Sequence, residues 1–301
     1  YEHLAAVVGS VKEAKARARA LPILSRAELI AAIEADGHDG LRRMCVDPLM
    51  LQRGIDYLEA VGDVMSDGRL DVLLLDPVGW FAGFLAHFIR DDGNPPAEVV
   101  RGVVSLADVV AALRHEYLAP ETQVPEVMAL VCNLELCVEL STLERDATGA
   151  GRYLFPCLLP AATPHEIALH WPRAAPTAAA AGDLIVRGHR FRAAGAFLPP
   201  GVFPSLVARL ARLPQGWVHS SRLWKDAAVL HFREAAALLR VNLTEATIDI
   251  TVAAPADACH FVGAAKGQAS AVRWLAHLAR QMLARSYAQI DFDECWLSPS
   301  P

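Results

Sequence analysis

The chain has 301 residues, of which 53% are hydrophobic and 21% are charged. This composition is typical of soluble globular proteins, and the length predicts two domains of roughly 150 residues each. A formal net charge of −6 argues against non-specific nucleic-acid binding, which depends on a cationic surface. The longest apolar runs, such as Val72–Leu75 and Trp80–Leu85, are far shorter than the roughly 20 residues that span a bilayer, so no transmembrane segment is expected.

The cysteines and the start of the sequence bear on localisation. None of the cysteines has the paired CxxC spacing, which favours free thiols in a reducing compartment and a cytoplasmic location. The six are Cys45, Cys132, Cys137, Cys157, Cys259 and Cys295. The sequence begins at Tyr1 without an initiator Met, inside a predicted helix, and this suggests a segment of a longer protein.

Helical periodicity dominates the first half of the chain. Ser25 and Ser105 each begin a capping box, and Asp76 precedes a proline that suits the first helical position. Two short strands, at 62–66 and 71–75, flank an Asp-Gly turn pair, and helices with such a hairpin predict a winged-helix-like arrangement. The periodicity predicts helices over Val11–Ala20, Arg26–Ala35, Pro48–Val61, Pro77–Ile89, Ser105–Tyr117 and Val124–Glu139.

Segments rich in Ala and Pro follow Pro160 and predict a boundary. We expect a mostly helical part over residues 1–160, a linker with a short strand at Glu166–Trp171 over 161–182, and an α+β part over 183–301. The predicted fold class is therefore α+β, and no internal repeat is visible in the sequence. The last part is predicted to hold five strands and a long closing helix, at Leu184–Phe191, Trp217–Trp224, Ala227–Phe232, Ala237–Leu243, Thr247–Ala253 and Ala264–Arg285.

The stretch from Arg187 to Leu213 joins a strand to an amphipathic helix through a Pro-Pro-Gly turn. The two prolines fix φ and remove two donors, and Gly201 frees the next step of the backbone. From Phe203 onward the apolar side chains share one helical face, whereas Arg209 and Arg212 are predicted to stay in water. This pattern is structural, without a nucleophile or a metal ligand.

The closing helix carries one apolar stripe with arginines away from it. The favoured interpretation is that the stripe packs on the helix's own sheet, and the alternative is a surface that faces a partner. The stripe consists of Val272, Leu275, Leu278, Ala279, Met282 and Leu283, and the arginines are Arg273, Arg280 and Arg285.

The motifs of nucleotide and metal chemistry are missing from the sequence. Without a GxxxxGK[ST] loop or an NKxD, the chain is not expected to bind GTP by itself, and Asp76 is interpreted as a helix cap rather than a Mg²⁺ ligand. His165 and His170 are five residues apart, as are Cys132 and Cys137, and this spacing places neither pair on one helix face. No metal site and no cofactor are therefore expected.

Catalysis by a nucleophile has little support in the sequence. Ser220 and Ser221 lie beside His219, but no carboxylate that would orient the imidazole is near them in sequence. The acidic cluster at Asp291–Glu294 is interpreted as a solvated surface. We predict no catalytic residue in this chain.

Four segments in the same order form a pattern seen in one protein family. They are Asp71–Trp80, Arg101–Asp108, Leu134–Leu140 followed by Tyr153–Pro160, and Phe197–Arg212. The motif residues within and just after them are Asp76, Pro77, Trp80, Tyr153, Pro156, Pro160, Phe197, Pro199, Pro200, Gly201 and Trp224. The pattern resembles the COR domain, which follows the Roc GTPase in Roco proteins. One departure is Ala227, where the family's Trp-Arg-x-Gly has glycine.

The resemblance implies a function without catalysis. It implies a helical, winged-helix-like N-terminal subdomain that packs on an adjacent Roc domain, which would hold GTP and Mg²⁺, and an α+β C-terminal subdomain that mediates homodimerisation. Such a domain would couple the GTP state to an effector such as a kinase in intracellular signalling, within a protein of the death-associated-kinase or leucine-rich-repeat type. The interface residues proposed on this basis are Arg209, Arg212, Arg273, Leu275, Leu278 and Met282.

Two other classes of function stay open at this point. A winged-helix nucleic-acid-binding module would need a basic recognition helix, but the helix Pro48–Val61 carries only Arg53 against Asp56 and Glu59. A hydrolase of unfamiliar type is the less favoured alternative, since no catalytic motif supports it.

Overall fold

The computed structural model describes residues 1–66, 71–88, 102–118, 123–140, 151–171, 184–195, 197–213, 222–232, 235–255 and 267–297. Helices and antiparallel sheets occur together, which confirms the mixed α+β class. The helices described are α1 (Glu2–Arg17), α2 (Arg26–Asp36), α3 (Asp39–Val46), α4 (Pro48–Val61), α5 (Pro77–Ala86), α6 (Leu106–Glu116), α7 (Val124–Asn133), α8 (Pro164–His170), α9 (Val202–Leu210) and α10 (Gly267–Ser286). The strands described are β1 (Ile23–Ser25), β2 (Val64–Ser66), β3 (Val72–Leu75), β4 (Val103–Ser105), β5 (Val138–Glu139), β6 (Arg152–Leu154), β7 (Leu184–Ala193), β8 (Ala227–Phe232), β9 (Ala235–Asn242), β10 (Thr247–Pro255) and β11 (Phe292–Leu297).

The chain divides into two compact units. The first contains Tyr1–Val99 and Ser105–Leu134, and the second contains Val100–Val104 and Glu135–Pro301. This division differs from the boundary expected after Pro160. The reason is apolar packing, since Leu140, Leu154 and Leu159, which precede that proline, belong to the core of the second unit.

The first unit contains helices α1 to α7 and a small sheet. The sheet has the order β1-β3-β2, with both pairings antiparallel, so the strand between α1 and α2 pairs with the second strand of the hairpin that follows α4. Ser25 and Glu28 form the predicted capping box at the start of α2. The core side chains lie on α1 to α4 and the strands, and include Leu4, Leu29, Ile33, Leu58 and Leu75. The Asp67-Gly68 turn lies outside the described residues.

A repeated order of elements appears that the sequence does not make obvious. Strand β1 ends at Ser25 and strand β4 at Ser105, and each serine is the N-cap of the next helix in a capping box. Helices and a pair of short strands follow in both cases, and the two sheets have the equivalent orders β1-β3-β2 and β4-β6-β5. The first series contains the additional helix α3 between α2 and α4.

Several predicted elements differ from those in the structure. Helix α7 ends at Asn133 rather than at Glu139, since Glu135 has a left-handed φ of 59°. The strand predicted at Glu166–Trp171 is helix α8, whose start is fixed by a capping box between Thr163 and Glu166. Both differences have a local cause, a change of backbone conformation in one case and a cap in the other. Most of the strand predicted at Trp217–Trp224 lies outside the described residues.

The second unit is built on a five-stranded antiparallel sheet with the order β11-β7-β10-β9-β8. Phe191 on β7 pairs with Ile248 on β10 and with Glu294 on β11, so these side chains share a face of the sheet. Helices α9 and α10 contribute to the same core through residues such as Phe203 and Leu275. Trp224 packs in a smaller cluster with Ile167 and Val229.

Candidate interaction surface

The two arginines of helix α9 have different environments. The Nε of Arg209 lies 3.0 and 3.1 Å from the two carboxylate oxygens of Glu135, and the Arg209 side chain is only 15% exposed. The expectation that Arg209 stays in water is therefore wrong, because its charge is committed to a carboxylate of its own unit. Arg212, beyond the end of the helix, is exposed.

Helix α10 uses its apolar stripe inside the second unit. Leu275 and Met282 are 1% and 0% exposed and belong to the core, and Leu278 packs against that core with partial burial. The interpretation that this stripe packs on the helix's own sheet is therefore confirmed. Of the residues proposed on this helix for an interface, Arg273 is the exposed one.

The two edges of the five-stranded sheet are not equivalent. At the β8 edge, Leu223 forms a bridge with Ala228, and the amide of Trp224 donates to the carbonyl of Ala227 at 2.8 Å. At the other edge, strand β11 pairs with β7 alone among the described strands. Four of the six β11 residues are exposed, and Trp296 is 53% exposed. We call strand β11, residues Phe292–Leu297, together with its side that faces away from β7, the β11 edge.

Three charged or polar groups hold the β11 edge to the rest of the unit. Arg280 on α10 donates from Nε to Glu294 at 2.7 Å and makes a second, shorter contact through its other nitrogen. The imidazole of His189, on β7, lies 2.9 Å from the same carboxylate. The His189 ring also makes edge contacts with Phe191 and Trp296, with centroids 4.9 and 5.3 Å apart. Glu294 therefore links strand, sheet and helix.

The same contacts lower the pKa of the Glu294 carboxyl. Hydrogen bonds from Arg280 and then His189 hold the pKa of the Glu294 carboxyl below its ordinary value, despite partial burial. A lowered folded-state pKa means that the carboxylate stabilises the fold above the pKa of the unfolded chain, and that this stabilisation is lost as the pH falls through the folded value. Acidification should therefore loosen the attachment of β11.

We predict that Glu294→Gln removes this part of the acid sensitivity. At neutral pH the variant should be less stable by about 0.5–1 kcal/mol, the scale of a partly exposed ion pair. At acidic pH the difference from the natural chain should vanish. Urea unfolding at a series of pH values measures both, with Asp293→Asn on the same strand as the control. A difference that stays constant down to low pH would contradict the assignment.

The structure brings no catalytic constellation together in the part of the chain that it describes. No group of three His, Cys, Asp or Glu side chains there could hold a metal ion. His165 and His170 both lie in helix α8, five residues apart, rather than on the predicted strand and loop. Cys132 lies in α7 and Cys137 follows its end. The segment with His219 and the two serines, and Cys259, lie outside the described residues.

Most of the residues that carry the family resemblance cap a helix, lie in loops and turns, or are buried in the core. Asp76 is the N-cap of α5 with a φ of 48°, its carboxylate accepts from the amide of Gly79, and Lys12 lies 2.7 Å from it. Phe197 is 65% exposed. Those that are buried or that shape turns are Pro77, Trp80, Tyr153, Pro156 and Trp224, and those in loops or at the start of α9 are Pro160, Pro199, Pro200 and Gly201.

Comparison with known proteins leaves the class of the protein open. No protein-family model and no curated protein matches this chain. Among the described helices, none is long and apolar enough to cross a lipid bilayer. The resemblance to the COR domain therefore stays a prediction.

Proposed function

We propose that this chain is a COR domain of a Roco-type protein. In this proposal it has no catalytic activity of its own, packs on an adjacent Roc GTPase that holds GTP and Mg²⁺, and forms a homodimer. It couples the nucleotide state to an effector such as a kinase in the cytoplasm.

The topology of the first unit supports the part of the proposal that concerns its fold. In a winged helix, a strand between the first two helices pairs with a hairpin that follows the last helix. The order of α1 to α4 with β1, β2 and β3 agrees with this arrangement, and the sheet order β1-β3-β2 places β1 beside the second hairpin strand. Winged-helix architecture is used by many unrelated proteins, so it supports the fold rather than the partner.

The observation that carries the proposal is the exposed β11 edge in the second unit. An edge strand offers unpaired backbone donors and acceptors, and natural proteins block such edges with charged side chains, above all lysine, or with proline or bulges. The sequence of β11, Phe-Asp-Glu-Cys-Trp-Leu, contains neither lysine nor proline, and its pairing with β7 is continuous. Of its two carboxylates, that of Glu294 is paired with Arg280 within the same unit. An exposed tryptophan adds apolar area of the kind enriched in interfaces. A second copy that pairs along this edge would extend the sheet and make the homodimer.

Guanine-nucleotide binding tests the class of the protein. A fluorescent GTP analogue, titrated with Mg²⁺ into the 301-residue chain, should show no saturable binding, because the chain has neither a phosphate loop nor an NKxD. The same titration into the natural full-length protein should show tight, Mg²⁺-dependent binding. ATP serves as the control nucleotide in both titrations. A full-length protein that binds no GTP would overturn the proposal.

A further inference from the structure

The backbone of strand β11 alternates between bonding to β7 and facing outward. Phe292 lies opposite Ala193 in the antiparallel pairing, so Asp291 lies opposite Ala194, whose amide donates to the carbonyl of Asp291 at 2.9 Å. The amide of Ala193 instead donates to the carbonyl of Ala246, just before β10, at 2.9 Å. Bonding direction alternates along an antiparallel strand, so every second residue of β11, counted from Asp291, bonds to β7. The residues that direct their amides and carbonyls outward are therefore Phe292, Glu294 and Trp296.

The side chains of β11 alternate between the two faces of the sheet. That of Glu294 lies on the face covered by α10, since Arg280 of α10 donates to its carboxylate at 2.7 Å. The side chains of Phe292 and Trp296 share this face with it. The opposite face of the strand takes the side chains of Asp293, Cys295 and Leu297.

A second copy can pair with the β11 edge about a two-fold axis perpendicular to the sheet. Such an axis makes the two β11 strands antiparallel, and the contact is isologous, with the same residues used on both copies. It also keeps each side chain opposite one on the same face, so the axis passes between a residue and the same residue of the second copy. The position of the axis along the strand then defines the register.

The length of β11 limits the positions of the axis that use the whole edge. An axis at Glu294 pairs residues 292–296 of the two copies with one another, and an axis at Cys295 pairs residues 293–297. Any other position pairs three or fewer residues of the strand. Two registers therefore use nearly all of β11.

Directly opposed carboxylates decide between these two registers. An axis at Glu294 places this residue opposite its own copy, and like charges in directly opposite positions are destabilising. The carboxylate cannot turn away, because Arg280 and His189 hold its two oxygens at 2.7 and 2.9 Å. The additional hydrogen-bonded pair of this register gains little, because the same groups bond to water at a free edge. An axis at Cys295 instead places each acidic residue of β11 opposite an apolar one.

We propose that the β11 strands of two copies pair about Cys295. The register rests on the proposed homodimer, whose interface it specifies. The outward amides and carbonyls of Glu294 bond to those of Trp296 of the second copy, and the indole of that tryptophan lies beside the guanidinium of Arg280, a favourable cation–π arrangement. The two Cys295 residues form a non-hydrogen-bonded pair, in which Cα atoms are about 4.5 Å apart, a separation that a disulfide spans.

Oxidative cross-linking with diamide tests the register. Diamide takes up the electrons and protons that two thiols release when their sulfur atoms bond to each other. The 301-residue chain should give a covalent dimer of twice 32.5 kDa, which a reducing agent splits and which Cys295→Ser abolishes. Cys157→Ser is the matched control, because Cys157 is also exposed but lies outside β11, and this variant should cross-link as the natural chain does.

Moving the thiol along the strand separates a fixed register from chance collision. In a chain with Cys295→Ser and Asp293→Cys, the two new thiols would be four residues out of register, about 13 Å apart along the strand and beyond the reach of a disulfide. This variant should give no covalent dimer. Adding Leu297→Cys should restore it, because positions 293 and 297 face each other in the proposed register.

The outcomes distinguish the register from the homodimer itself. Equal cross-linking of thiols at positions 293 and 295 would overturn the register. So would a dimer, shown by light scattering before oxidation, that does not cross-link through Cys295, and the homodimer would then stand without this register. A chain that stays at 32.5 kDa at every concentration before oxidation would overturn both.

Discussion

Replacing Phe203 with alanine should lower the free energy of unfolding of the second unit by about 3–5 kcal/mol, the usual cost of truncating a buried aromatic side chain. Phe203 is 1% exposed, near the start of α9, and belongs to the core that includes Leu206 and Ile250. Because the sheet and α10 contribute to the same core, the cavity would be lined by several elements that cannot all move into it. Urea unfolding followed by circular dichroism measures the change as a lower midpoint.

The control for this prediction lies six residues earlier in the chain. Phe197 is 65% exposed, and Phe197→Ala should change the free energy of unfolding by about 0.5 kcal/mol or less. Both substitutions truncate a phenylalanine to alanine, so the difference between their effects mainly reports the burial of Phe203. Equal effects of the two variants would contradict the assignment of Phe203 to the core.

Replacing Trp296 with lysine should abolish or strongly weaken the proposed homodimer. Trp296 is 53% exposed on the β11 edge, and a tryptophan that acts as an interface hot spot contributes about 2 kcal/mol or more, which corresponds to roughly 30-fold in affinity. The lysine would add the device that natural proteins use to prevent edge-to-edge pairing. Sedimentation velocity over a range of protein concentrations measures the shift from dimer to monomer.

Leu243→Lys is the matched control for the edge variant. Leu243 is an apolar residue of the second unit, 49% exposed, in the turn that follows β9 rather than on the β11 edge. The control adds the same charge but lies away from the β11 edge, and it should therefore leave the dimer intact. A dimer that survives Trp296→Lys, or that both variants dissociate equally, would show that the β11 edge is not the interface.

The sequence was most informative where a short motif marks the start of an element. The capping boxes at Ser25 and Ser105 and the cap at Asp76 correspond to helix starts in the structure, and α4 has the predicted bounds Pro48–Val61. These signals are local, because the cap satisfies backbone amides within the first turn of its own helix. The apolar faces of α9 and α10 were likewise predictable from their period.

Elements that depend on distant partners were not predictable in the same way. Strand β11 lies in an acidic stretch that favours solvent by composition, and it is a strand because it pairs with β7, roughly a hundred residues earlier. Arg209 was expected in water because its local sequence does not show its partner, Glu135, which is 74 residues away. The difference at α8 is of another kind, because the capping box at Thr163 was visible and outweighs the strand-like alternation after it.

The candidate surfaces show the same contrast. The apolar stripe of α10 could be found from its period, but only the structure decides that Leu275 and Met282 face their own sheet. The β11 edge depends on which side of a strand the fold leaves uncovered, and this is a property of tertiary packing rather than of local sequence.

The mass of the 301-residue chain in solution tests the central claim most directly. Multi-angle light scattering, recorded over a series of protein concentrations, should give twice the 32.5 kDa of one chain at the higher concentrations, with Trp296→Lys at 32.5 kDa under the same conditions. A natural chain that stays at 32.5 kDa at every concentration would contradict the account of this chain as a dimerising module.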